Sequence, residues 1–137
     1  MKTIALSLIA KSLIVGVLLG TVTPALAYAP PADEPRPQAT DTTFTGWVRF
    51  SHGEFQLYAD QDQVLQPFAR PCVSGVLPRG PQRQAVLDLG GAKVQITGTT
   101  RAWSKDLPGN RIRYGDSVIR NDCGGDLVIE ATSMRPI

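Results

Sequence analysis

From Phe44 onward, apolar and polar residues alternate with a period of two. Phe44, Gly46, Val48 and Phe50 interleave with Thr45, Trp47, Arg49 and Ser51, which predicts a half-buried strand. His52-Gly53 follows as a turn. Phe55, Leu57 and Ala59 then alternate with Gln56 and Tyr58, so the two runs make a hairpin. Cys72 to Leu77 is a short third run. Pro78 to Gln84, rich in Pro, Gly and Arg, reads as a loop. Ala85 to Leu89 reads as a single helical turn or a short strand, ended by Gly90-Gly91. Lys93 to Ser104 is the longest strand candidate, with Val94, Ile96 and Gly98 on one side and Gln95, Thr97 and Thr99 on the other. Leu107 to Asn110 is a turn, Ile112 and Tyr114 alternate with Arg111 and Arg113, and Leu127, Ile129 and Ala131 mark a last strand. Gln61 to Phe68 is the only segment after residue 28 where a short helix fits.

Five or six short strands over residues 44–137 predict an all-β domain, a small antiparallel barrel or sandwich. Gly46, Gly75 and Gly98 suit the bulges and close approaches of a tight barrel. Gly46-x-Val48, Phe55-x-Leu57, Val73-x-Gly75 and Val94-x-Ile96-x-Gly98 carry a resemblance to the OB-fold, a five-stranded barrel that binds oligonucleotides, oligosaccharides and proteins. The helix usual between the third and fourth strands of that fold is not predicted here.

The chain begins differently. Lys2 and Lys11 give a positive n-region, Leu13 to Leu19 is a short apolar run, and Ala25-Leu26-Ala27 supplies an A-x-A cleavage site. Residues 1–27 therefore read as a signal peptide cut before Tyr28, with no membrane span in the mature form. Residues 28–43, with four prolines and no apolar period, read as an extended disordered leader. The expected location is periplasmic or secreted. In such a compartment Cys72 and Cys123 pair by default. Their loop of about 50 residues gives a chain-entropy stabilisation of roughly 4 kcal/mol. A redox role would call for a close, low-pKa pair.

Charge narrows the partners. The chain holds 14 Lys and Arg against 12 Asp and Glu, and loss of Lys2 and Lys11 with the signal peptide equalises them. A nucleic-acid binder is expected to carry a clear basic excess, so no nucleic-acid partner is expected.

Candidate chemistry is sparse. His52 is the sole histidine. Its neighbours Ser51 and Glu54 share one turn, where a Ser-His-acid triad rarely converges, and a solvated hairpin tip is the simpler reading. Zinc would need three or four ligands. Asp60-Gln61-Asp62 lacks the later ligands of a calcium loop, because Leu65 and Pro71 stand where an EF-hand needs glycine and glutamate. Nothing around Asp106 and Asp116 marks an acid–base pair. No cofactor or metal is implied. Asn121 to Asp126 could present backbone N–H groups as an anion nest, although its two glycines also suit any disulfide-pinned turn. Strand parity sets Trp47, Arg49, Arg101 and Trp103, with Tyr58, opposite the apolar sides. Aromatic rings interleaved with arginine make a stacking surface. The alternative is that a strand changes face at a bulge and the tryptophans complete the core. The resulting expectation is an exported, non-enzymatic binding module for a saccharide, a protein or a small anion. The alternatives are an envelope protein acting only through protein contacts and a small hydrolase centred on His52.

Overall fold

The structure is a computed structural model, which describes residues 36–66 and 69–137. The predicted signal peptide and residues 28–35 of the predicted leader lie outside the described residues. Residues 36–42 form a turn that meets the long fourth strand: Asp41 N–H donates to Gln38 O, and Thr100 Oγ1 donates to Ala39 O at 3.0 Å.

Five strands close a barrel in the order β1-β2-β3-β7-β4. They are β1 (Thr43–Ser51), β2 (Glu54–Tyr58), β3 (Val73–Val76), β4 (Lys93–Ala102) and β7 (Leu127–Pro136). Phe44, Val48, Phe55, Leu57, Val94, Ile96, Ile129 and Ala131 fill the interior, as the period-two pattern predicts. The barrel is mixed, not antiparallel throughout: β3 closes on β7 in parallel. Two such strands cannot be joined by a tight turn, and here the chain between them makes a helix, a whole strand and a hairpin. This architecture is compatible with an OB-like fold.

The two seams of β7 need glycine. A Cβ on Gly75 would lie 2.6 Å from Ile129 O, and one on Gly98 would lie 2.7 Å from Ala131 Cα. At Gly98 the β4–β7 register shifts, which is the bulge expected from a glycine inside a strand.

Two departures from the expected elements matter. A helix, α2 (Arg79–Leu89), covers the predicted loop up to Gln84 and continues through Ala85–Leu89, where a single helical turn or a short strand was expected. Pro78, Gly80 and Pro81 look like loop residues. A helix's first turn has no use for their missing or free N–H groups, so it tolerates them. Val86 and Leu87 are exposed while Ala85 is buried, which blurs the apolar stripe. The second departure is a hairpin of β5 (Ile112–Tyr114) and β6 (Ser117–Ile119) outside the barrel. Ile112 and Ile119 pack on Val76 and Val128, forming a second core with Trp103, Leu107 and Tyr114 at its edge. A four-residue helix, α1 (Gln61–Val64), falls in the one segment where a short helix was expected.

Candidate functional site

The outer face of β2 is not solvated. Gln56 and Tyr58 are buried, and Glu54, read as part of a solvated hairpin tip, is 0% exposed. At Glu54 the cause is the segment Arg120–Cys123, which follows β6. Its N–H groups converge on the Glu54 carboxylate. Arg120 N–H donates to Oε2 at 2.7 Å, Asn121 N–H to Oε2 at 3.1 Å and Asp122 N–H to Oε1 at 2.8 Å. Ser74 Oγ donates to Oε1 at 2.7 Å and accepts Cys123 N–H at 3.0 Å. Asn121 has φ 59°, a left-handed turn that asparagine tolerates and that points successive N–H groups to one side. Of the Asn121–Asp126 segment read as an anion nest, only Asn121 and Asp122 donate to an anion, joined by Arg120, and that anion is the protein's own Glu54.

The segment is fastened elsewhere as well. Cys123 is disulfide-bonded to Cys72, with Cα atoms 5.3 Å apart, so the bond ties the third strand to the loop before the last one, as predicted. An Arg70 guanidinium donates to Asp122 O, and Asp122 Oδ2 lies 2.9 Å from His52 Nδ1.

His52 and Gly53 have φ of 53° and 80°, the two left-handed positions of a tight hairpin turn. Ser51 Oγ lies 3.3 Å from His52 Nδ1, the same nitrogen that meets Asp122. A serine–histidine–aspartate triad needs the acid on one ring nitrogen and the serine on the other. Here Nδ1 is shared and Nε2 has neither, so the imidazole is not placed to take the Ser51 proton.

Beside this turn lies a cleft of about 660 Å³. Its walls are the β1–β2 turn, α2 and the β5–β6 hairpin. Arg79, Gln82, Arg83 and Val86 line it from α2, Asp116, Ser117 and Val118 from the hairpin, and Arg120 from the end of β6. The walls are tied together beneath. Gln82, buried, accepts Leu77 N–H on Oε1 at 3.0 Å and donates Nε2 to Gly53 O at 3.4 Å. Ser117 Oγ donates to Leu77 O at 2.6 Å. Glu54 holds the Arg120 backbone. These ties fix the backbone of the walls, while the Arg79, Arg83 and Arg120 side chains themselves are exposed. None of Arg79, Arg83 and Arg120 makes an ion pair among the described residues. A smaller concavity, about 370 Å³, adjoins Trp103, Asn110 and Arg111 and shares Arg120.

The predicted aromatic–arginine set divides in two. Trp47 pairs across strands with Tyr58 and Lys93, and Arg49 pairs with Gln56. Tyr58 is buried and Trp47 half-buried. Trp103 lies past the opposite end of β4, ten residues from Lys93 or about 30 Å of strand. It is half-buried against the second core. Arg101, nearby, is paired with Glu130 at 2.9 Å. Among the described residues no cluster of His, Cys, Asp and Glu could hold a metal ion, and no helix is long and apolar enough to cross a membrane.

Sequence reasoning missed Arg79, Gln82, Arg83, Arg120 and the burial of Glu54. The signal for the first three was their spacing: read as a helix, residues 79, 82, 83 and 86 share one face. No family model matches the chain, and no curated protein or solved structure matches it.

Proposed function

We propose that the protein is an exported, non-enzymatic binding module. Its ligand site is the cleft between α2, the β1–β2 turn and the β5–β6 hairpin. The observation that carries this reading is the convergence of Arg79, Arg83 and Arg120, from two separate walls, on one cleft whose floor is cross-tied through Gln82, Ser117 and Glu54. The volume is in the range of small-molecule sites. We read the barrel as OB-like from its strand order, its parallel β3–β7 closure and the helix between its third and fourth strands. In that architecture oligonucleotides and oligosaccharides bind across strands 2 and 3. That face here carries Glu54 and Ser74 tied to residues 120–123, which favours a site moved to the adjoining cleft. The disulfide favours an oxidising compartment. Shared use of His52 Nδ1 by Ser51 and Asp122 weighs against the hydrolase alternative.

Hydrogen-exchange mass spectrometry of the purified, oxidised protein tests the site. Small-molecule extract of the host envelope should slow exchange in residues 79–86 and 116–120. Protection confined to the outer faces around Trp47 or Trp103 would overturn the assignment and return the function to those surfaces. A response to envelope proteins alone would favour the protein-contact alternative.

A further inference from the structure

We infer that the ligand of this cleft is a small organic polyanion, carrying at least two phosphate or carboxylate groups held by Arg79, Arg83 and Arg120. The inference rests on the cleft being the ligand site. Its independent support is the charge order of α2. A helix carries partial positive charge at its N-terminus, so acids stabilise its first turn and bases its last. α2 is built the other way. Its first turn contains Arg79 and no acid, its last turn has no base, and Asp88 sits near its C-terminal end. The chain therefore places a cation where the helix itself disfavours one. Breaks of a local rule of this kind are expected at functional or strained sites.

Geometry sets the number of anionic groups. Arg79 and Arg83 are one turn apart on the same face, with Cβ atoms about 6 Å from each other. Arg120 approaches from the opposite wall, on a backbone fixed by Glu54 at 2.7 Å. Guanidinium forks match the planar oxygens of phosphate and carboxylate. Three forks on two walls suit two or more such groups better than one. Of the acids lining the cleft, Glu54 is engaged by the nest and Asp116 stands alone against the three arginines. Phe50, Val86 and Val118 add apolar lining for a carbon skeleton. The balanced charge of the chain after residue 27 keeps this cationic character local, which fits a small ligand and not a polymer.

Calorimetry and thermal unfolding at low salt test the idea, with pyrophosphate, inositol hexakisphosphate and citrate as probes beside inorganic phosphate and a neutral disaccharide. Saturable binding of a polyanion, tighter than inorganic phosphate, is expected, and the phosphate and carboxylate probes separate the two chemistries. Arg83→Gln and Arg120→Gln should each weaken it about tenfold, while Arg135→Gln, on the distant end of β7, should leave it unchanged. Arg79→Glu should abolish binding yet raise the Tm of the ligand-free protein by about 2–6 °C, because the helix dipole is then complemented. Disaccharide binding that slows exchange at residues 79–86, with no polyanion bound, would overturn the ligand class and leave the cleft standing. No binding of any probe, together with a lower Tm for Arg79→Glu, would overturn the polyanion proposal, and the charge order of α2 would then be no sign of a site. If extract also fails to protect residues 79–86 and 116–120, the cleft assignment falls with it.

Discussion

Residue 120 belongs to two electrostatic centres built on opposite plans. Its backbone N–H joins those of Asn121 and Asp122 on the buried carboxylate of Glu54. Its side chain joins Arg79 and Arg83 in the open cleft. In the first centre both halves of every interaction come from the protein and water is excluded, so the hydrogen bonds are strong and breaking them is costly. In the second, like charges from separate elements face solvent on walls that the first centre helps to fix. The contrast separates roles: the charge that holds the fold is matched within the chain, whereas the three arginines, with Asp116 in the same lining, make no ion pair among the described residues and are the groups the proposed ligand would meet.

The largest expected effect breaks the first centre. Glu54→Ala strands three backbone donors, the Ser74 hydroxyl and the Gln56 amide, at a cost of about 4–5 kcal/mol. Urea unfolding should show it, and amide exchange should quicken first at residues 120–122. A loss below about 1 kcal/mol would mean that the segment is held by its other ties and that Glu54 is incidental.

Glu54 also shows why part of the structure was legible in the sequence and part was not. The barrel strands follow from alternation that each run carries by itself: Val48, Leu57, Val94 and Ile96 are interior wherever their neighbours fold. The disulfide followed from an even pair of cysteines behind a predicted signal peptide. Glu54, in contrast, reads as a polar turn residue, and only the return of residues 120–123, about 66 positions later, buries it. The same distance hid the cleft, because Arg120 meets Arg79 and Arg83 only through tertiary structure. α2 was obscured locally, by prolines harmless in a first turn and by the exposed Val86 and Leu87. The parallel β3–β7 seam has no local signature at all, since alternation does not encode the direction of a neighbour.

The next effect tests how far the two centres depend on the covalent tie. Cys72→Ser/Cys123→Ser should cost roughly 4 kcal/mol, lowering Tm by about 15–30 °C. Well below that Tm, Glu54 still gathers residues 120–122, so polyanion affinity should change little. If affinity collapses while circular dichroism shows an intact barrel, the disulfide and not the nest positions Arg120.

The smallest effect concerns His52, which borders the cleft but belongs to neither centre. Its link to Asp122 is 2.9 Å long, with side chains 67% and 36% exposed, and such pairs contribute about 0–1 kcal/mol. The position also demands a left-handed backbone, φ 53°, so alanine would confuse loss of the ring with backbone strain. His52→Asn avoids this, because asparagine accepts that conformation. It should unfold within about 1 kcal/mol of the parent and keep its ligand. The same variant separates a binding module from a hydrolase. With Nδ1 facing Asp122, an imidazole acting as a base would have to use Nε2, and Ser51 is not on that side. Activated p-nitrophenyl esters should therefore be hydrolysed no faster by the parent than by His52→Asn. A rate present in the parent and lost in the variant would place chemistry at the turn and make the neighbouring arginines its substrate clamp.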